Sequence, residues 1–132
     1  MNYFMNNLVA ITILVFLLIT FLQSGLDKIL DWKGNLAWLK EHFSKTFKGG
    51  MVPLLLGIIL VLEIITALYS ILAIYSILAF GELDNAIVAI FLACITLLLL
   101  LFGQRVAKDY AGALTITCYF IVAIFGLYVV AR

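Results

Sequence analysis

The sequence predicts an all-α fold: an integral membrane four-helix up-down bundle with a short amphipathic interfacial helix in its first loop. Three observations predict it. Residues 1–26, 85–104 and 110–131 carry no formal charge, and a bilayer core of roughly 30 Å is crossed by about 20 apolar residues at about 1.5 Å each. The 33 residues between Lys48 and Glu82 hold a single charge, Glu63. Finally, the chain is 67% hydrophobic and 11% charged with a mean hydropathy of +1.27, outside the range of soluble domains. Four such segments in 132 residues leave almost no room for a soluble domain, so residues 1–132 read as one transmembrane domain. A net charge of +1, with no basic patch interleaved with aromatics, gives nucleic acid nothing to bind. The lipid bilayer is the first partner that the composition implies.

The first helix is expected at about 5–29. It has no basic segment before its apolar run, and that run is longer than the core of a cleaved signal peptide, so it reads as a span. The second helix is expected at about 52–80, with Pro53 in its opening turn, where a missing N–H costs nothing. The third (about 86–105) follows the short turn Gly81-Glu82-Leu83-Asp84-Asn85, which makes it an antiparallel neighbour of the second. The fourth (about 109–131) follows the polar stretch GQRVAKDYAG. Short links of this kind place sequential helices side by side.

The one long connection, residues 30–51, contains the expected interfacial helix at about 34–48. Trp32, Leu36, Leu39, Phe43 and Phe47 recur within an arc of about 80° on a helical wheel. Lys40, Glu41, Ser44, Lys45 and Lys48 lie off that arc, and Gly49-Gly50 ends the segment. Such a helix rests on a leaflet with its lysines near anionic headgroups. Trp38 falls on the other side of the wheel, which suits contact with another protein. Lys28, Lys33, Lys40, Lys45, Lys48, Arg105 and Lys108 all fall on one face of the layout, and only Arg132 falls on the other. The positive-inside rule puts loops 30–51 and 105–109 in the cytoplasm and both termini outside.

Small residues suggest how the last two helices pack. Ala89, Ala93, Thr96 and Gly103 share one face of the third; Gly112, Thr115, Tyr119, Ala123 and Gly126 share one face of the fourth. Small side chains let backbones approach closely where lipid removes the hydrophobic drive. These faces are expected to point into the bundle.

Glu63 is the residue most in need of explanation. An ionised carboxylate deep in a bilayer costs on the order of 3 kcal/mol, so it either takes a proton or finds a cation or hydrogen-bond donor. Counted from the start of its own helix, it lies roughly 16 Å in, near the middle of the membrane. Thr66 and Ser70 extend a polar stripe from it. Two readings stand side by side: a proton carrier or headgroup ligand, and a buried carboxylate tying helices together. Partner residues gather at the basic ends of the helices: Gln23, Ser24, Asp27 and Lys28 on the first, Gln104 and Arg105 on the third, Asp109 and Tyr110 on the fourth. Lys28 and Arg105 are both long enough to snorkel toward Glu63. Cys94 and Cys118 are isolated, with no CxxC pair and no metal-ligand spacing, and His42 stands alone. No metal site, phosphate-binding loop or catalytic motif is present in the sequence, and no residue is assigned a catalytic role.

The run Ser24-Gly25-Leu26-Asp27-Lys28-Ile29-Leu30-Asp31, the intramembrane Glu63 and the junction GQRVAKDYAGA at 103–113 together resemble the DoxX family of small four-helix bacterial membrane proteins, along essentially the whole chain. The resemblance implies a bacterial inner-membrane protein. Its founding members are similar to membrane subunits of a quinone-linked oxidoreductase, and others act in assembly or as chaperones of membrane proteins. It resembles vitamin K epoxide reductases in fold, but the CxxC pair of those enzymes is absent, so a thiol mechanism does not carry over. The leading expectation is therefore a small integral subunit of a membrane-associated oxidoreductase complex. It would not be catalytic alone, and it would dock another subunit or a second copy of itself. A quinone, the one cofactor this reading allows, or a lipid headgroup would lie near Glu63, Lys28, Gln23, Arg105, Asp109 and Tyr110. A non-catalytic assembly factor for membrane proteins is the alternative, and an oligomeric proton-coupled transporter of a small solute is the third reading.

Overall fold

The computed structural model describes residues 2–42, 51–106 and 108–131. Among them there are six helices and no strand: α1 (Tyr3–Asn6), α2 (Leu8–Leu30), α3 (Trp32–His42), α4 (Met51–Phe80), α5 (Asp84–Val106) and α6 (Tyr110–Ala131). Four of them, Leu8–Leu30, Pro53–Phe80, Asp84–Val106 and Tyr110–Ala131, are long and apolar enough to cross a membrane. The chain is an all-α, multi-pass membrane bundle.

Two boundaries differ from the sequence reading in instructive ways. The first helix is broken at Asn7, whose side-chain amide donates to the Tyr3 carbonyl at 2.9 Å while its backbone N–H turns to Phe4 O. Asparagine competes for backbone groups in this manner, which favours helix ends over interiors. Helix α3, in the connection expected to hold a helix at about 34–48, starts at Trp32 because Asp31 caps it, its Oδ1 accepting the Gly34 N–H at 3.3 Å. The Asn35 amide then donates back to Asp31 O at 2.8 Å and to Asp27 O at 3.3 Å, tying α3 to the end of α2. Residues 43–50, with the expected Phe43, Ser44, Lys45, Phe47, Lys48 and the Gly49-Gly50 stop, lie outside the described residues, as does Arg132.

The α4–α5 turn is set by Gly81, at φ +69°. The N–H of Gly81 donates to Ile77 O at 2.9 Å and that of Glu82 to Ser76 O at 3.4 Å, a pattern that closes a helix on a left-handed residue. The Asn85 amide donates to Ser76 Oγ at 2.9 Å across the turn. Tyr3 lies flat on this corner: a Cβ on Gly81 would come within 2.6 Å of its ring.

The spans form a ring in which α2 touches α4, α4 touches α5, α5 touches α6 and α6 touches α2. Helices α2 and α5 also meet across the middle, whereas α4 and α6 have no contact among the described residues. The cross-section is thus a rhombus with a short α2–α5 diagonal. Ala86, Ala89, Ile90, Ala93 and Leu97 of α5 and Leu14 and Leu17 of α2 share one core, all essentially sealed. The small-residue reading of α5 agrees at Ala89, Ala93 and Thr96, while Gly103 is only half-buried. On α6 the expected stripe is buried at Ala123 and Gly126 and half-buried at Gly112 and Tyr119. Thr115 is exposed, and the inward residues are Ala113, Ala123, Gly126 and Val130. Tyr119 instead tilts against Phe16 of α2, ring centroids 6.1 Å apart. Gly126 sits where α6 crosses α2, and a Cβ there would come within 2.8 Å of Ile13 Cγ2.

Candidate functional site

The last turn of α2 and the first half of α4 build the one buried ion pair among the described residues. Gly25 lets the two helices close on each other, since a Cβ there would meet Ile64 Cδ1 at 2.8 Å. One turn on, Lys28 reaches across: its Nζ lies 2.7 Å from Glu63 Oε1 and donates to Ser24 Oγ at 2.6 Å. Ser24 and Lys28 are i and i+4 on one helix, the spacing at which side chains meet. The Glu63 side chain is 2% exposed and that of Lys28 16%. Glu63 Oε1 accepts no well-aligned hydrogen bond, so its contact with Lys28 is one of charge rather than directed bonding.

Lys28 stands two residues from the end of α2, and Glu63 lies well inside α4, which is 30 residues long. A Cβ on Gly25 would meet Ile64, so the carboxylate is level with the turn before Lys28, and the ammonium folds back to it beside Ser24. Helix α3 packs against both helices.

Above the pair, Thr66 and Ser70 continue the polar stripe in full burial. Their hydroxyls donate to Leu62 O at 2.7 Å and Thr66 O at 2.8 Å, so each already has a backbone acceptor of its own. The remaining candidates form a second group at the α5–α6 turn. The Arg105 guanidinium sits over the Tyr110 ring, 5.1 Å from its centroid; it does not extend to Glu63. Asp109 caps α6, its Oδ1 accepting the Gly112 N–H at 3.0 Å. Gln104 Nε2 and the Asp109 carboxylate both press on Gly112, 2.9 Å and 2.7 Å from where a Cβ would stand. Gln104 Oε1 is buried without a hydrogen-bond partner. Gln23 is exposed and joins neither group. Ser24 and Lys28, one turn apart in the sequence, do meet, whereas nothing in the sequence signals the burial of Gln104 Oε1.

A quinone at Glu63 needs donors and a slot for its ring. Lys28 is a donor already in contact with Ser24 and Glu63, and Tyr110 is exposed in the second group beside Arg105. Two cavities in the bundle, of about 370 and 420 Å³, are lined by neither Glu63 nor Lys28. No three His, Cys, Asp or Glu side chains gather for a metal ion among the described residues. Both cysteines are free, Cys94 buried and Cys118 exposed.

The fold and site define a small multi-pass membrane protein whose spans are pinned near one end by a buried lysine–glutamate pair. Comparison with family models, with curated proteins and with solved structures gives no match.

Proposed function

We propose that this chain is a small integral subunit that docks a partner protein at its lysine-bearing end. The observation that carries this reading is apolar surface exposed at the lysine-bearing ends of α2 and α4. Leu30, at the tip of α2, is 81% exposed, and Leu54, in the first turn of α4, is 64% exposed. Trp38 is exposed on α3 between them in sequence, beside Lys33 and Lys40. Exposed apolar side chains rimmed by charge suit a protein interface. The Lys28–Glu63 pair supports the reading from inside. Buried ion pairs add little net stability but fix geometry, and this one holds the α2 end against α4 where the partner would sit.

The positive-inside rule makes that face cytoplasmic. The resemblance to the DoxX family supplies the bacterial inner membrane and the membrane-associated oxidoreductase as the setting. Affinity purification from native membranes in mild detergent tests the reading. The wild-type chain should bring down one stoichiometric protein, and Leu30→Ser with Leu54→Ser should lose most of it while the bundle stays folded. A chain that purifies alone under these conditions ends the proposal.

A second reading, an assembly factor that holds membrane proteins laterally, is favoured by α6. Only 22% of its span is buried, leaving Leu114, Ile121, Phe125 and Tyr128 outward. Many transient clients in place of one partner, lost on polar substitution along α6, would support it.

A further inference from the structure

The two halves of the Lys28–Glu63 pair are bound unequally. The ammonium donates within its own helix, to Ser24 Oγ at 2.6 Å and more weakly to Ser24 O at 3.5 Å. Glu63 Oε1, 2.7 Å from the same nitrogen, accepts no directed hydrogen bond. What joins α2 to α4 at this point is therefore the charge on the carboxylate. Lys28 is 16% exposed and two residues from the end of α2, so its long side chain has water within reach. Glu63 is 2% exposed in the body of α4. A carboxyl group so enclosed persists as an ion beside a cation, and without one it takes a proton.

A proton on Glu63 removes the attraction between the helices and leaves the ammonium its Ser24 partner and an exit to the interface. Among the described residues, no second cation stands by to replace Lys28. Tyr69 and Tyr75 are the only other ionisable side chains of α4. On α2, Asp27 is exposed and the Asp31 beyond it caps α3; on α3, Lys33, Lys40 and Glu41 are exposed. On α5, Arg105 lies over the Tyr110 ring, Cys94 is in the core and Asp84 is at the other end, where Tyr3 of α1 lies on Gly81. We propose that Glu63 is a proton-binding site whose protonation frees the Lys28 end of α2 from α4. The use of this switch rests on the docking reading, in which the closed end is the form that a partner meets; the switch itself is a property of the bundle.

Spin labels on Ile29→Cys and Ile58→Cys, both exposed positions, report the α2–α4 separation in the full chain, with Cys94→Ala and Cys118→Ser so that no other thiol reacts. In lipid vesicles, the distance read by pulsed electron resonance should lengthen as the pH falls from about 8 to about 4. Glu63→Gln keeps the shape and loses the charge, and it should show the lengthened distance at every pH. A distance that ignores pH in the labelled chain overturns the proposal, as does a pH response that survives in Glu63→Gln. Ser24→Ala does not depend on that variant folding. It removes the partner on which the freed ammonium falls back, so the closed distance should persist to about one pH unit lower. Opening at the same pH as the parent chain, or above it, overturns the proposal. No partner protein enters the measurement, so failure of the switch and failure of the docking reading are told apart.

Discussion

Lys28 and Glu63 meet at 2.7 Å on neighbouring antiparallel helices, with Ser24 Oγ 2.6 Å from the same ammonium. The pair works as a latch because the carboxylate is sealed and the ammonium is largely buried against it. Removing one leaves the other buried and alone, which costs about 3–5 kcal/mol in comparable settings. Glu63→Ala and Lys28→Ala should each destabilise the folded chain by that order in detergent unfolding. The double variant should lose clearly less than the sum. Additive losses would show that the two charges do not depend on each other.

Helix approach at glycine gives a sharper contrast. At Gly126 and Gly25 a Cβ would come within 2.8 Å of Ile13 and Ile64, respectively, while at Gly57 there is nothing within 4 Å. Gly126→Leu and Gly25→Leu should cost about 1–3 kcal/mol by forcing packed helices apart. Gly57→Ala should raise stability by about 0.5–1 kcal/mol through helix propensity. Thermal unfolding of the three variants side by side decides this, and similar effects at all three positions would contradict the packing.

At the α4–α5 corner, two penalties overlap. Gly81→Ala puts a Cβ on a residue at φ +69° and into the Tyr3 ring. The backbone part is about 1–2 kcal/mol, and the steric part adds to it. Tyr3→Ala in the same chain should remove the steric part alone, so the double variant should recover some stability relative to the sum. No recovery would mean that Tyr3 does not lie on this corner.

The two thiols report the sidedness of the spans. Cys94 is buried against the core and Cys118 faces outward. A small lipophilic thiol reagent should modify Cys118 in the folded chain and reach Cys94 only on unfolding, as read by intact mass. Equal rates would place α5 or α6 in a different rotation.

Much of this was legible before any coordinates. The four spans follow from run length, because hydrocarbon thickness leaves few alternatives. Lys28 was a visible partner for Glu63 because a long cation near a helix end can bend inward. The register of Glu63 against α2 was not legible, since it depends on how far α4 slides past α2. The break at Asn7 was signalled by Asn2, Asn6 and Asn7 clustered at one helix start. The same side chains are tolerated on an exposed helix, so the signal did not decide. On α6 the small-residue pattern points Ala123 and Gly126 inward, as found, but misses Ala113 and Val130 and wrongly includes the exposed Thr115.

The short diagonal of the rhombus has a consequence for how the chain is made. Its two most enclosed spans, α2 and α5, are separated in sequence by the whole of α3 and α4. As segments leave the ribosome, α2 and α4 can pair early, but the alanine face that seals α2 arrives only with the third span. Until then Leu14 and Leu17 remain open to lipid or to a helper protein. α6 then closes the last side by leaning on a pair already joined. Its loss should leave a three-span remnant still organised around α2 and α5, whereas losing α5 would leave α6 only its contact with α2.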